Sequence, residues 1–151
     1  MLIRESGCIK DSVGYTNPPY KTGTPVGKFT LSNSEQYVRV YNPNYNNMSG
    51  RWIMRLEDIQ GLTAQQIKDK FALENLPTYI CDVNISTGTQ LHTGIAEGIT
   101  GWGNGGGLQY DIIGFDYNTM QSWFTNGIPI SSSPLQQKKL KTPTPCIMRG
   151  V

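Results

Sequence analysis

GIAEGITGWGNGGGLQYDII, residues 94–113, sets the fold class of this chain. Seven glycines lie between Gly94 and Tyr110. A flexible linker would mix Gly with Ser and carry no large side chain, whereas this stretch holds Trp102. It then runs straight into Leu108–Ile113, whose residues have strand character. A dinucleotide-binding glycine motif opens a helix, and a P-loop closes on Gly-Lys-Ser/Thr; neither follows here. A glycine loop joining strands points instead to an antiparallel sheet.

Working outward, the flanking segments alternate with the period of strands. Thr78–Ile85 places Tyr79, Cys81, Val83 and Ile85 on one face, and Thr87-Gly88 turns the chain into a shorter strand, Thr89–Thr93. Upstream, Lys28–Leu31, Gln36–Tyr41 and Trp52–Leu56 read as strands. In the second of these, Tyr37, Arg39 and Tyr41 alternate with Val38 and Val40. Thr63-Ala-Gln-Gln66 has the form of a capping box. It is followed by Ala64, Ile67, Phe71 and Leu73 at helical spacing, with Pro77 as the stop. Asn118-Thr-Met-Gln121 reads as a second, short cap and helix through Phe124. The fold class expected is α+β: a compact single domain, a mostly antiparallel twisted sheet, one main helix and a long Gly-rich loop. Residues 1–27, with Pro18, Pro19 and Pro25, read as an N-terminal arm. Residues 28–128 are the expected catalytic domain. Residues 129–151, rich in Pro, Ser and Lys, form a C-terminal tail.

Composition narrows the function classes. The chain has 151 residues, enough for one domain with a real core. Its net charge of +2 is too small to argue for nucleic acid by itself. The three cysteines, Cys8, Cys81 and Cys146, are an odd number without C-x-x-C spacing, so neither a fully paired disulfide framework nor a zinc signature is present. Cys81 reads as a buried core thiol. No apolar run is long enough to span a bilayer and no signal-peptide core is visible, so no membrane partner is expected. One histidine and scattered carboxylates give no metal-binding spacing, and no metal is expected.

Long loops are uncommon and often functional, so the glycine stretch is expected to cradle a ligand. Gly105, Gly106 and Gly107 would present backbone amides, Gln109 a side-chain amide, and Trp102 a ring that either closes over a bound base or packs the loop onto the sheet. Arg39, between two tyrosines, either grips a phosphate through its fork or stacks on those rings. His92 is the one side chain titrating near neutrality without perturbation, and it is either a general base or a surface residue.

The order Arg39 … Gly50-Arg-Trp-Ile … Phe71-Ala-Leu … Pro77-Thr-Tyr-Ile-Cys-Asp-Val83 … Gly88-Thr … Gly94-Ile-Ala … Gly105-Gly-Gly-Leu-Gln-Tyr110 resembles the C-terminal toxin domains of bacterial polymorphic toxins of the contact-dependent inhibition and Rhs kinds. Within these it resembles most the tuberculosis-necrotizing-toxin type of NAD glycohydrolase and its ADP-ribosyltransferase-like relatives. The likeness spans roughly residues 37–113. It implies that Gln109 is the catalytic glutamine, that Arg39 contacts the phosphates of NAD, and that Trp52 is the aromatic residue after Gly-Arg. Tyr110 completes the glycine–glutamine element. Lys70 is the nearest cation ahead of the Ala-Leu element, where the family has an arginine, and Gly98-Ile-Thr-Gly-Trp-Gly103 replaces a Pro-Phe-Gly-Gln stretch.

The expected function is therefore an antibacterial toxin domain, delivered by a secretion system into the target-cell cytoplasm and cleaving the nicotinamide–ribose bond of NAD, by hydrolysis or by ADP-ribosyl transfer. NAD would be substrate, with no cofactor, and a cognate immunity protein would be the partner. The alternative is a metal-independent ribonuclease toxin that cleaves tRNA, with tRNA or a host translation factor as its partner. It would use His92 for proton transfer and Arg55 or Lys70 for phosphate charge. A non-catalytic partner-binding module is the third reading.

Overall fold

The computed structural model describes residues 2–5, 20–32 and 36–130. In chain order the elements are β1 (Leu2–Glu5), β2 (Pro25–Thr30), β3 (Tyr37–Tyr41), β4 (Trp52–Arg55), a 3-10 turn (Leu56–Asp58), α1 (Ala64–Phe71), β5 (Tyr79–Val83), β6 (Gln90–Ile95), β7 (Leu108–Ile113), α2 (Tyr117–Gln121) and β8 (Phe124–Pro129). The eight strands form one sheet in the order β1-β2-β6-β7-β4-β3-β5-β8, and every neighbouring pair is antiparallel. The α+β class expected from the sequence is what the chain adopts.

Strand alternation builds a core on each face of the sheet. Tyr37, Tyr41, Ile53, Cys81, Val83, Leu91, Tyr110 and Ile112 face one side, where Met120 of α2 and Phe124 cover them. Tyr110 stands edge-on to Tyr37, with ring centroids 5.2 Å apart. Val38, Val40, Met54 and Ile80 face the other side and pack under Ile67 and Phe71 of α1. The half-turn of phase between the tyrosine and valine positions of β3 thus feeds both cores. A third, small cluster joins Tyr20, Val26 and Trp52. Gly94 makes room for it, because a β-carbon there would lie 2.8 Å from the Tyr20 ring.

The capping box at Thr63 forms as the sequence predicts: the Gln66 N–H donates to the Thr63 hydroxyl at 3.2 Å, and the Thr63 N–H donates to Gln66 Oε1 at 2.9 Å. The helix stops at Ala72, which adopts the left-handed conformation (φ 51°), and the Leu73 N–H reaches back to the Lys68 carbonyl at 3.0 Å. Leu73 therefore lies beyond the helix.

Three boundaries differ from the sequence reading. Leu2–Glu5 and Pro25–Gly27, assigned to an arm, belong to strands. Pro25 is tolerated because it opens β2, where it needs no ladder donor. The short second helix is capped by Asp116, whose carboxylate accepts the Thr119 N–H at 3.0 Å, and not by Asn118. Finally, Phe124–Pro129 is a strand. Its pattern is masked because it is an exposed edge with a bulge opposite Ile80–Asp82 and a left-handed Asn126. Cys81 is fully buried, as expected. Residues 131–151, with the Lys138–Lys141 run and Cys146, lie outside the described residues, as does Cys8.

One stability prediction separates glycines that serve close packing from those that serve only a turn. Gly105 (φ +74°) would place a β-carbon 2.5 Å from the Ala96 carbonyl oxygen, whereas Gly61 (φ +85°) faces open space. Gly105→Ala is expected to cost about 2–4 kcal/mol, from backbone strain plus a clash. Gly61→Ala is expected to cost about 1–2 kcal/mol, from strain alone. Equal shifts of the two variants in urea denaturation would show that the loop is not held by contact.

Candidate active site on the sheet face

The glycine loop performs a different task from the one its composition suggests. Its amides meet the C-terminal end of α1, where helix carbonyls lack intrahelical donors. The Gly105 N–H donates to the Asp69 carbonyl at 2.8 Å and the Gly107 N–H to the Lys70 carbonyl at 2.9 Å. The Asn104 N–H donates to the Asp69 carboxylate at 3.0 Å. In return, Lys68 Nζ donates to the Trp102 carbonyl at 2.6 Å. Gly106 and Gly103 donate within the loop, to Ala96 and Ile99. Glycine is needed because the backbones touch: a β-carbon on Gly103 would sit 2.7 Å from Asp69 Cα. The expectation that Gly105, Gly106 and Gly107 line a pocket with free amides is thus corrected, since those amides are already engaged. Trp102 lies beside a depression of about 570 Å³ between this loop and α1, whose polar wall includes Gln65, Lys68, Asp69 and Asn104.

Arg39 is also committed to structure. Its Nε donates to the Met48 carbonyl at 3.1 Å, Nη1 to the Trp52 carbonyl at 3.1 Å and Nη2 to the Asn47 carbonyl at 3.2 Å. Gly50 lies flat against the guanidinium. The fork therefore ties the loop 42–50 to β3, and burial lowers its pKa from the ordinary arginine value. Arg39 also projects to the Tyr37 and Tyr110 side of the sheet, opposite to Gln109. Lys70 Nζ is held by the Asp58 carbonyl at 2.6 Å. Tyr110 is a core residue packed between Tyr37 and Phe29. Arg55 pairs with Asp58 at 3.2 Å. Arg39, Tyr110 and Arg55 all lie on the sheet side opposite to His92 and Gln109.

What the sheet does assemble is a polar row on its other face. Cross-strand register places Lys28 opposite His92, His92 opposite Asp111, and Asp111 opposite Trp52. One step along the same face, Gln109 lies opposite Gly94, over which the Tyr20 ring rests. Tyr20 meets Trp52 edge-on at 5.7 Å. His92, Gln109 and Trp52 are thus brought together, with three further polar groups that single-residue reasoning passes over: Lys28, Arg51 and Asp111. The signal was present in Leu-Gln-Tyr-Asp-Ile, since alternation puts Gln109 and Asp111 on one face and Tyr110 on the other.

Asp111 is the centre of the row. Its side chain is 2% exposed, and Arg51 grips it with both arms of the fork, Nε to Oδ1 at 2.5 Å and Nη2 to Oδ2 at 2.7 Å. Arg51 also lies over the Trp52 ring, 5.7 Å from its centroid. His92 Nδ1 is buried 3.6 Å from Asp111 Oδ2. A carboxylate facing Nδ1 favours the tautomer with the proton there and leaves Nε2 as the basic nitrogen. Burial pushes the imidazole pKa down from its ordinary value; Asp111 opposes this, and Lys28 and Arg51 add to it. The arrangement supplies a neutral base beside a cation, an amide and an aromatic ring.

Comparison of the chain with protein-family models, curated proteins and solved structures returned no match. Among the described residues no cluster of three or more His, Cys, Asp or Glu forms a metal site. No helix among them is long and apolar enough to cross a membrane.

The lowered pKa of His92 has a sign that stability measurements can check. The folded state holds the imidazole neutral more firmly than the unfolded chain, so this contribution is present above the unfolded value and is lost as pH falls through the folded one. The urea midpoint is expected to fall from about pH 7.5 to about pH 5.5, above the range where carboxylates titrate. His92→Gln should remove that slope. An unchanged slope in the variant would assign the pH dependence to another group.

Proposed function

We propose that this chain is a toxin domain that hydrolyses the nicotinamide–ribose bond of NAD on the sheet face bearing Gln109. The observation that carries the reading is the shared face of Gln109 and Trp52. The glutamine that ends the Gly-Gly-Gly-x-Gln-Tyr element stands one step from the aromatic residue of the Gly-Arg-Trp element, beside Lys28 and His92. Two motifs far apart in sequence that point to one chemistry converge in space.

Nicotinamide leaves as a neutral base, and the C1′–N bond breaks with oxocarbenium character at the ribose. Catalysis then rests on positioning and on polar groups placed where charge develops. Gln109 would hold a ribose hydroxyl and Trp52 would offer a stacking surface. Lys28 would meet phosphate charge, the task the sequence had given to Arg39. Water would form the new bond at C1′, and His92 Nε2 would take its proton. That base tilts the reading toward hydrolysis and away from transfer to an acceptor. The toxin reading brings with it a secretion route and a cognate immunity protein that covers this face.

A second reading has its own observation. The His92–Asp111–Arg51 chain beside Lys28 also suits metal-independent cleavage of RNA, in which an imidazole moves the 2′-hydroxyl proton and a lysine meets the phosphate. Incubating the protein with NAD and, separately, with total tRNA separates the two. We expect NAD consumption, abolished by Gln109→Ala with the fold intact. His92→Ala should slow NAD cleavage by no more than about tenfold, since the oxocarbenium carbon needs little help from a base, whereas a nuclease would lose about a hundredfold or more. RNA cleavage that vanishes in His92→Ala, with NAD untouched by the unmodified protein, would establish the ribonuclease instead.

A further inference from the structure

We propose that Arg51 is a positioning residue that holds Asp111 back from His92 and so keeps the imidazole in its neutral, proton-accepting form. In an ordinary His–Asp pair the carboxylate accepts a short hydrogen bond from the ring and stabilises the charged imidazolium. Here both carboxylate oxygens are occupied by the Arg51 fork, at 2.5 and 2.7 Å. The ring nitrogen facing Asp111 stays 3.6 Å from Oδ2, outside hydrogen-bonding distance. At that separation the carboxylate orients the ring and raises its proton affinity less than a close His–Asp pair would.

Arg51 is well placed to keep that grip. Its backbone carbonyl accepts the Ile112 N–H at 2.9 Å, next to Asp111 on β7, so main chain and side chain are fastened to the same strand. The guanidinium also lies over the Trp52 ring. The charged and titratable groups facing His92 are Asp111 from β7, Lys28 from β2 and Arg51 from the segment before β4. Of these, only Asp111 favours the protonated ring. Removing Arg51 therefore acts twice in the same direction: it deletes a repelling cation and releases the carboxylate to close the 3.6 Å gap to Nδ1. Lysine keeps the charge but not the fork, and engages one oxygen at most.

The inference rests on the site assigned above, but its primary test uses no substrate. His92 is the only histidine in the chain, so its ring resonances in an NMR pH titration need no assignment. We expect the midpoint to move upward in Arg51→Gln and to move upward by a smaller amount in Arg51→Lys. We also expect Asp111→Asn to move it below that of the unmodified protein. In the NAD assay, the acid limb of the pH–rate profile should follow the NMR midpoint upward in both arginine variants, while KM changes less than kcat. An Arg51→Gln protein that is folded by its NMR dispersion, yet whose His92 titrates as before, overturns the proposal. If that variant does not fold, Arg51→Lys decides on the same readout. Absence of NAD cleavage with the expected titration shifts would sink the substrate assignment and leave the role of Arg51 standing.

Discussion

A single buried charge organises the centre of this sheet. Asp111 lies in β7 between β6 and β4, almost fully removed from water, and an isolated carboxylate in that position would be far too costly to keep ionised. Arg51 solves the problem with a bidentate contact, and the solution has geometric consequences. It fixes the entry into β4, sets the guanidinium over the Trp52 ring and leaves His92 3.6 Å from a carboxylate that Arg51 already grips. Polar groups accumulate around that pair, while the opposite side of the same strands is lined with tyrosine and isoleucine. Around β6 and β7 the two sides of the sheet are thus chemically distinct.

Much of the scaffold was legible in the sequence for local reasons. Leu108–Ile113 and the Thr78–Ile85 strand declare themselves by alternation, and α1 by its reciprocal cap at Thr63 and Gln66. These signals depend on neighbours in the chain. β8 was missed because nearly all of its side chains are exposed, so no apolar period marks it. The α2 cap was misplaced by two residues, since Asp and Asn both favour that role and only the fold chooses between them.

The candidate site was only half legible, and the reason is the same. Gln109, Trp52 and His92 could be named from their residue type and motif context. Arg39 attracted attention as a lone cation between two tyrosines, but an arginine fork satisfies three backbone carbonyls as readily as it does a phosphate. Sequence carries no information on which acceptor is near. The glycine loop misled in a similar way. Close backbone approach was the correct inference from its composition, but the object approached is the end of α1 and not a ligand. Arg51 and Asp111 are sixty positions apart, and their partnership emerges only when β4 pairs with β7.

The docking of that loop also has a cost on the unfolded side. Six glycines fall between Gly98 and Gly107, and each has more backbone freedom to lose on ordering than any other residue. With each ordered residue costing about 1–2 kcal/mol of backbone entropy, the loop is opposed by a large term and retained by a short set of amide-to-carbonyl bonds to one helical turn. Loop and helix end are therefore a cooperative unit: once Gly105 and Gly107 let go, the carbonyls of Asp69 and Lys70 lose their donors and the last turn of α1 loosens with them. Such a unit is expected to open at a lower free energy than the sheet. It lies immediately ahead of Gln109, so the mobility of the segment leading into the glutamine is set by the melting of a helix terminus.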